Sequence, residues 1–240
     1  MKYSLPPYLL EVVSPIDGEK RFSAQHPNKI IIGVDEVGRG PLAGPVVACA
    51  AVLKNFEIDL GLNDSKKLSK AKRESLFELI KEHCSCYAIA SASEAEIDEL
   101  NILNANYLAM RRALSAIGVS NLDAPEGCIP VESKGTLLSD LDWLIAVDGN
   151  LMISGVLPQK QIPIIKGDSK MVSISAASVL AKVYRDRYME RLAIDYPGYG
   201  FEAHAGYGTK KHIEAIRLLG SSPVHRKSFH PKSLQNSFSF

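Results

Sequence analysis

The chain has few of the features that mark a specialised class of protein, and each shortage excludes something. Its longest unbroken apolar run, residues 46–53, is much shorter than the ~20 residues that a membrane-spanning helix needs. Its N-terminus is interrupted by Pro6, Pro7 and Glu11, a pattern unlike that of a secretory signal peptide. Neither charge dominates, because 28 lysines and arginines face 27 aspartates and glutamates. We therefore expect a cytoplasmic protein that does not associate with membranes.

Cysteine is also scarce, and its spacing indicates neither a metal site nor a disulfide framework. The four cysteines are Cys49, Cys84, Cys86 and Cys128. One residue separates Cys84 from Cys86, where a zinc knuckle would have two, and Cys49 lies inside an apolar run. We expect reduced thiols. The six histidines include no HExxH motif either.

Size and composition are those of a globular protein with a proper core. A chain of 240 residues fits one large domain, or a domain with a small appendage. Basic residues are grouped along it, which would give a local phosphate-binding surface although the net charge is only +1. Ordinary solvated helix faces are the alternative. The groups are Lys66, Lys67, Lys70, Lys72 and Arg73; Lys182, Arg185, Arg187 and Arg191; and Lys210, Lys211, Arg226, Lys227 and Lys232.

The order of apolar segments predicts an α/β domain with a mixed sheet. Residues 1–28 have weak periodicity and are interpreted as an N-terminal extension. Three strands with short connections then suggest an antiparallel meander, and strands and helices follow in turn. Strands are predicted at 30–34, 46–53, 86–92, 143–147 and 162–165. Helices are predicted at 69–83, from a capping box of Ser93 with Glu96, at 104–117, at 173–196, and from Thr209 to Gly220.

Three boundaries follow from this pattern. We assign residues 29–196 to one catalytic domain and residues 197–240 to a C-terminal helical region and tail. Residues 119–140 contain prolines and glycines with little periodicity, so we expect a surface insertion there.

Acidic residues stand directly after the apolar strands. Asp35 and Glu36 end the first strand, Asp148 ends the strand at 143–147, and Asp168 follows the strand at 162–165. Carboxylates gathered at a sheet rim repel one another, so they raise a pKa or require a cation such as Mg²⁺. Turn residues and helix caps are the alternative. Neighbours on a strand point to opposite faces, so Asp35 and Glu36 can share a site only if the strand ends there.

A resemblance to a known family is carried by motifs in a fixed order. The segment 33–45, GVDEVGRGPLAGP, resembles the opening signature of ribonuclease HII, the bacterial type 2 ribonuclease H. The match extends over about residues 29–231. Further matching segments are LNDSKKL at 62–68, EIDELNIL at 96–103, DGN at 148–150, KGDS at 166–169, ISAASVLAKV at 174–183 with Arg185-Asp186, GYGT at 206–209 and HRKSF at 225–229.

The resemblance implies a fold, an activity and a cofactor. The fold is ribonuclease H-like, with a mixed central sheet flanked by helices and a helical C-terminal region. The activity is hydrolysis of the RNA strand of RNA–DNA hybrids and incision 5′ of ribonucleotides embedded in duplex DNA, leaving 3′-hydroxyl and 5′-phosphate ends. The cofactor is Mg²⁺ or Mn²⁺, with two ions during catalysis. The implied catalytic and metal-binding residues are Asp35, Glu36, Asp148 and Asp168.

The same resemblance implies a set of substrate contacts. Gly38, Arg39 and Gly40 would read the 2′-hydroxyl, the group that distinguishes RNA from DNA. Tyr207 would pack on the neighbouring deoxyribose. Asp186 is instead expected to pair with Lys182 one helical turn earlier or with a neighbouring arginine. The other candidate substrate-binding residues are Lys66, Lys67, Asn150 and Lys182.

Two other functions are weighed against this one. Gly38, Gly40 and Ala43 fit the dinucleotide-binding pattern G-x-G-x-x-A of an oxidoreductase, but a strand is predicted where that motif needs a helix. A non-catalytic nucleic-acid-binding module could use the basic groups alone, yet the carboxylates would weaken it. Residues 235–240, QNSFSF, are faintly similar to peptides that bind the replication sliding clamp, but an unstructured chain end is the favoured interpretation. We expect a monomer.

Overall fold

The computed structural model describes residues 4–56, 69–120, 122, 131–137 and 141–229. Within these ranges the strands are β1 Ile30–Val37, β2 Val46–Leu53, β3 Cys84–Ala92, β4 Glu132–Lys134, β5 Trp143–Asp148 and β6 Gln161–Ile164. They form one sheet in the order β4-β3-β2-β1-β5-β6. The pairs among β1 to β4 are antiparallel, whereas β5 is parallel to both β1 and β6. The predicted mixed sheet and its opening meander are confirmed.

Helices cover both faces of this sheet. The helices are α1 Pro15–Gln25, α2 Lys70–His83, α3 Glu94–Ala116, α4 Val172–Asp195, α5 Phe201–His204 and α6 Lys210–Leu219. Helix α3 packs on the face that carries Val34, and α1, α2 and α4 pack on the opposite face. The predicted N-caps Ser69, Ser93 and Thr209 each accept a backbone N–H of the first turn. The flanked mixed sheet that the sequence predicts is therefore observed.

Helix α4 crosses the sheet at very close range. A Cβ added to Gly33 would lie 2.2 Å from the backbone of Ser173, so only glycine allows this approach. Ala176, Ala177 and Ala181 are fully buried on the same helix, and their small side chains keep it near the strands. This crossing fixes the position of α4, which carries several residues of the cavity described below.

Helix α3 unites two segments that the sequence predicts separately. Asn101 interrupts it with a φ of 66° and a ψ of 163°. Its side-chain oxygen accepts the backbone N–H groups of Leu103 and Asn104, so it acts as an internal cap for the second segment. The two predicted helices are thus one element with a kink.

Two segments differ from the sequence interpretation. Residues 15–25, interpreted as part of an extension, form α1, whose Phe22 is fully buried against the sheet. Glu19 of this helix accepts a hydrogen bond from Ser173 Oγ at 2.9 Å. Residues 132–134, predicted as irregular insertion, form the edge strand β4. Most of the remaining predicted insertion lies outside the described residues, and the domain boundaries stay predictions.

The C-terminal region packs on the second half of α4. Leu42, Met189, Tyr199 and Phe201 form a separate apolar cluster with α6. The predicted helical C-terminal region is therefore observed, with α6 ending at Gly220 as expected. No helix in the described part of the chain is both long and apolar enough to span a bilayer.

Candidate active site

The candidate site lies where the parallel strands β1 and β5 end side by side. Val34 is the register partner of Val147, so Asp35 and Asp148 follow as neighbours across the two strands. They open onto a cavity of about 340 Å³. Its lining residues include Asp35, Glu36, Arg73, Asp148, Ser178, Lys182 and Tyr207. The fold thus brings three of the four predicted carboxylates to one cavity.

Asp35 and Glu36 share this cavity although β1 does not end between them. The strand continues to Val37, and Asp35 and Glu36 are both paired with β2. The expectation that the strand must end there was wrong. Asp35 lies on the α4 side, where Ser178 donates a hydrogen bond to it, and Glu36 lies on the α3 side, where Asn106 does so. Both line the cavity because they stand at the rim of the sheet, where its two faces meet.

The electrostatics of these acids favour a positively charged occupant. Burial raises the pKa of Asp35 well above its ordinary value, and the charges of Asp148 and Glu36 raise it further. Burial also raises the pKa of Glu36. The Arg39 guanidinium, whose Nη1 lies 3.3 Å from Glu36 Oε1, opposes this rise but does not cancel it. Each raised pKa means that the ionised carboxylate is poorly compensated by the protein alone. A divalent cation would supply the missing charge.

Asp168 takes a different position from the other three acids. It lies buried in a 3₁₀ turn, Gly167–Ser169, after β6. It is not among the residues that line the cavity, but the N–H of its neighbour Gly167 donates to Asp148 Oδ1 at 2.6 Å. The turn therefore fixes Asp148 directly and places Asp168 next to the site.

The donor set suits a hard cation in chemistry, since carboxylate oxygens are what Mg²⁺ and Mn²⁺ prefer. Among the described residues, however, no three histidine, cysteine, aspartate or glutamate side chains are arranged as a set that could hold a metal ion. Two of these carboxylates are already held by backbone N–H groups through one oxygen each. Asp35 Oδ1 accepts the N–H of Glu36 at 2.7 Å, and Asp148 Oδ1 is held by Gly167. The predicted metal site therefore stays a prediction.

The glycine loop, residues 38–45, connects β1 to β2 beside the cavity. Gly38 has a φ of +95°, a conformation that side chains disfavour. A Cβ on Gly40 would lie 3.7 Å from the ring of Tyr207, so these two candidate substrate residues are neighbours. The loop leads into β2, where a dinucleotide-binding motif would begin a helix. This removes the geometric basis for the oxidoreductase alternative.

A second, smaller cavity of about 130 Å³ adjoins the first. Asn150 lines it together with Glu36, Arg39, Asn106 and Asp148. The predicted substrate residue Asn150 therefore lies within the same cluster of acids, although on the α3 side.

Basic residues frame the α4 side of the main cavity. Lys182 Nζ donates to Asp186 at 2.5 Å, as the spacing of one helical turn predicts. Arg73 Nη2 lies 3.8 Å from the same carboxylate, so Asp186 holds both cations at the cavity. Lys66 and Lys67, the other predicted phosphate contacts, lie outside the described residues.

Three residues of the site have no individual signal in the sequence. Ser178, Asn106 and Arg73 all line one of the two cavities. Ser178 lies in the helical segment 174–183 whose resemblance was noted, but nothing there marks one serine over another. Asn106 and Arg73 look like ordinary helix residues until the helices are packed on the sheet.

Comparison with known proteins agrees with this architecture. Residues 32–232 match the ribonuclease HII family. A curated ribonuclease HII of Shouchella clausii (strain KSM-K16) is 51% identical over 201 residues, covering 84% of this chain and 68% of the relative. Another, of Fusobacterium nucleatum subsp. nucleatum, is 49% identical over 209 residues, covering 86% and 88%.

Solved structures share the fold. The ribonuclease H2 of Pyrococcus horikoshii OT3 has a TM-score of 0.62 at 26% identity, with 86% of this chain and 95% of that one covered. A chain of the PCNA:RNase HII complex from Archaeoglobus fulgidus has a TM-score of 0.63 at 23% identity, with 86% and 99% covered. Bst-RNase HIII in complex with Mn²⁺ gives 0.60 at 21% identity, with 89% and 70% covered. The last two likenesses concern the fold alone.

The family match covers most of the chain, and the two relatives share about half of their aligned residues with it. The two acid-bearing strands and the glycine loop of the structure coincide with the segments that carry the resemblance. The chain therefore belongs to the ribonuclease HII family.

Proposed function

We propose that the cavity at the ends of β1 and β5 is the active site of this ribonuclease HII. Family membership makes the chain an endoribonuclease that acts on RNA–DNA hybrids, and the family is metal-dependent. The finer proposal is that it also incises on the 5′ side of single ribonucleotides in duplex DNA. The products would carry 3′-hydroxyl and 5′-phosphate ends.

The observation that carries the proposal is the convergence of Asp35, Glu36 and Asp148 on one cavity with raised pKa values for the first two. Structural acids at a surface would not be gathered with such poor compensation. Mg²⁺ or Mn²⁺, two ions during catalysis, would activate water and offset the charge on the leaving oxygen. A solved Bst-RNase HIII with Mn²⁺ is consistent with that choice.

The residues of the chain divide the remaining work. Asp35, Asp148 and Asp168 would bind the cations, and Glu36 would shape the site or bind through water. Gly167 already orients Asp148 through its backbone N–H, and Ser178 orients Asp35 through its side-chain hydroxyl. Asp186 holds Lys182 and Arg73 at the cavity, where both can face substrate phosphates. The family resemblance supports the roles of the four acids, and the position at the cavity supports those of Asp35, Glu36, Asp148, Lys182 and Arg73.

Recognition of the ribonucleotide would take place at the glycine loop. Gly38, Arg39 and Gly40 would read the 2′-hydroxyl, because a backbone without side chains can approach the sugar closely. Tyr207 is 43% exposed beside Gly40, so its ring is available to a neighbouring deoxyribose. The two contacts together would recognise a junction from ribose to deoxyribose.

One assay tests the proposal directly. A DNA duplex carrying a single ribonucleotide is incubated with the protein in Mg²⁺, in Mn²⁺ or in EDTA, and the ends of the products are mapped. We expect one incision 5′ of the ribonucleotide in either metal and none in EDTA. Incision in EDTA, or an uncut duplex with both metals, would contradict the proposal.

Three further expectations concern the whole protein. We expect a cytoplasmic monomer. A contact with the sliding clamp through residues 235–240, which lie outside the described residues, is the alternative to an unstructured chain end. The PCNA:RNase HII complex of Archaeoglobus fulgidus supports that such a partnership exists for a protein of this fold. Deleting the last six residues should abolish co-purification with the clamp while leaving nuclease activity unchanged. Equal capture of the full and shortened chains would contradict the contact.

A further inference from the structure

We propose that buried Arg226 is a positioning residue that sets the conformation of the glycine loop and thereby the preference for ribonucleotides. The inference rests on the proposed function of that loop. It concerns a residue that lies at the far end of the chain, in the segment after α6, and that makes no contact with the cavity's carboxylates.

The guanidinium of Arg226 grips both ends of the glycine loop at once. Its Nη2 donates to the carbonyl oxygens of Gly38 at 2.6 Å and of Gly44 at 2.7 Å. Its Nη1 donates to the carbonyl of Arg39 at 2.9 Å, and its Nε donates to Gly44 at 2.9 Å. A planar guanidinium makes these four hydrogen bonds from three nitrogen atoms, whereas an ammonium group has only three N–H donors on a single atom.

A second buried arginine holds the other side of the same loop. Arg185 of α4 donates to the carbonyls of Pro45 at 3.1 Å and Ala43 at 3.2 Å, and also to Ala205 at 3.0 Å. Ala205 lies two residues before Tyr207, so this side chain ties the loop to the segment that carries the tyrosine. The loop is thus fixed from both sides.

The arrangement is costly to the fold, which argues that it serves something other than stability. Arg185 is fully buried and Arg226 is 2% exposed, yet within the described residues neither forms an ion pair with a carboxylate. Burial and the nearby charge of Arg185 lower the pKa of Arg226 to about 9. Burial raises the pKa of nearby Glu94, and the charges of Arg226 and Arg185 offset only part of that rise. Its Oε1 is buried without a hydrogen-bond partner among the described residues. Unpaired buried charges of this kind reduce stability.

The backbone at Arg226 is itself held by hydrogen bonds. Its N–H donates to the carbonyl of Leu42 at 2.8 Å, and the N–H of Gly44 donates to Val224 at 3.0 Å. Asp98 of α3 accepts the N–H groups of Lys227 at 2.9 Å and Ser228 at 2.8 Å. The side chain therefore contacts the loop from a segment whose own position is fixed.

This clamp decides which backbone groups face the substrate. It draws the carbonyls of Gly38 and Arg39 towards the protein interior. No described residue accepts a hydrogen bond from the N–H of Arg39 or Gly40, so these donors are not used within that part of the chain. A 2′-hydroxyl can be distinguished from hydrogen only if such groups are held in place, because a misplacement of about 1 Å can cost on the order of 10²-fold in rate.

The test compares Arg226→Lys, which keeps the charge but loses most of the carbonyl contacts, with a matched control. Arg112→Lys removes another partly buried arginine fork, which donates to the carbonyl of Ser91 and to Glu96 away from the loop. For each protein, kcat and KM are measured on a duplex with one ribonucleotide. Binding in EDTA is measured for that duplex and for the same duplex in DNA, and the folded fraction is measured by urea unfolding.

We expect Arg226→Lys to lower kcat/KM on the order of 10- to 100-fold and to move the ratio of the two binding constants towards one. Arg112→Lys should change neither by more than about twofold. A role in folding alone would lower the folded fraction without changing the ratio. Asp98→Asn weakens the hydrogen bonds that hold the segment around Arg226 and leaves the buried charge in place. It should also move the ratio of the two binding constants towards one. This variant keeps the test valid if Arg226→Lys does not fold.

The outcomes separate the two claims. If the unmodified protein cuts at the ribonucleotide and both variants keep its discrimination, the role of Arg226 is overturned and the proposed function stands. If the unmodified protein does not cut in Mg²⁺ or Mn²⁺, the proposed function fails, and the inference that rests on it fails as well.

Discussion

At the scale of single residues, the site is a compromise between charge and burial. Asp35 is 5% exposed and lies beside two other acids, an arrangement that raises its pKa and lowers the stability of its ionised form. Its two hydrogen bonds, from Ser178 and from the N–H of Glu36, offset only part of this. The fold therefore compensates the charge of this carboxylate only in part.

Tyr207 gives a prediction at this scale. Tyr207→Ala should reduce cleavage at a lone ribonucleotide about 10-fold or more, since burying the apolar surface of an aromatic ring against a sugar is worth on the order of 1–3 kcal/mol. Tyr207→Phe keeps the ring and serves as the control, with activity close to that of the unmodified protein. Rates on the single-ribonucleotide duplex and affinities for the general duplex are compared. A loss of equal size in both would show that the ring has no special role at the junction.

The sequence predicts which residues belong to the site only where a local pattern marks them. Asp35, Glu36 and Asp148 stand directly after apolar strands, so their exposure at a sheet rim follows from the pattern. Ser178 and Arg226 owe their positions to contacts between segments far apart in the chain, which no local pattern contains. Both lie in segments of the family resemblance, yet their contacts became visible only in the structure.

At the scale of elements, the parallel pair β1 and β5 positions the acids, and the C-terminal helices position Tyr207. His212 Nδ1 donates to the carbonyl of Tyr207 at 2.9 Å, so its Nε2 accepts from His225 Nε2 at 3.1 Å. His225 Nδ1 in turn accepts the N–H of Ser222. These hydrogen bonds assign neutral tautomers to both rings. Protonation of His212 would bring two N–H donors face to face.

This network predicts a dependence of stability on pH. Burial, with the charges of His204 and His225, lowers the pKa of His212 to about 4. Because the folded state holds it neutral, its contribution to stability is complete above pH ~6.5 and is lost as the pH falls towards 4. The urea concentration at the unfolding midpoint of the unmodified protein should decrease as the pH is lowered from 7 to 5. In His212→Phe this decrease should be smaller. An identical pH dependence in both proteins would contradict the assigned tautomers.

The helices and strands themselves were largely predictable, because caps and apolar periodicity are local signals. The exceptions have physical reasons. Helix α1 buries Phe22 but also carries Gly18 and several charged residues. Its few apolar residues therefore give only a weak helical periodicity in the sequence. Strand β4 consists of Glu132, Ser133 and Lys134, whose polar side chains indicate no strand, and it forms by pairing with the edge of β3.

At the scale of the whole molecule, a net charge of +1 conceals a separation of charge. Three acids meet in the cavity, while Arg73 and Lys182 line its wall and Arg185 and Arg226 lie buried against the glycine loop. Such a field would hold a polyanion at the rim and cations at the centre. The composition alone could not predict this, because it depends on which faces the folded chain brings together.

The central claim is that Asp35 acts in hydrolysis and not in folding or duplex binding. Asp35→Asn should lower kcat in Mg²⁺ by at least about 10³-fold, on the order of removing a key electrostatic group. Its affinity for an RNA–DNA hybrid in EDTA should stay the same or rise, because a repulsive charge is removed. Its stability at pH 7 should not fall, since the raised pKa of Asp35 makes the ionised form unfavourable.

The most direct measurement is therefore the cleavage rate of Asp35→Asn on a uniformly labelled hybrid, beside Asp195→Asn at the exposed end of α4 as the control. The account predicts a lost rate with intact binding and folding for the first variant and an unchanged rate for the second. A hybrid cut at the full rate by folded Asp35→Asn would contradict it.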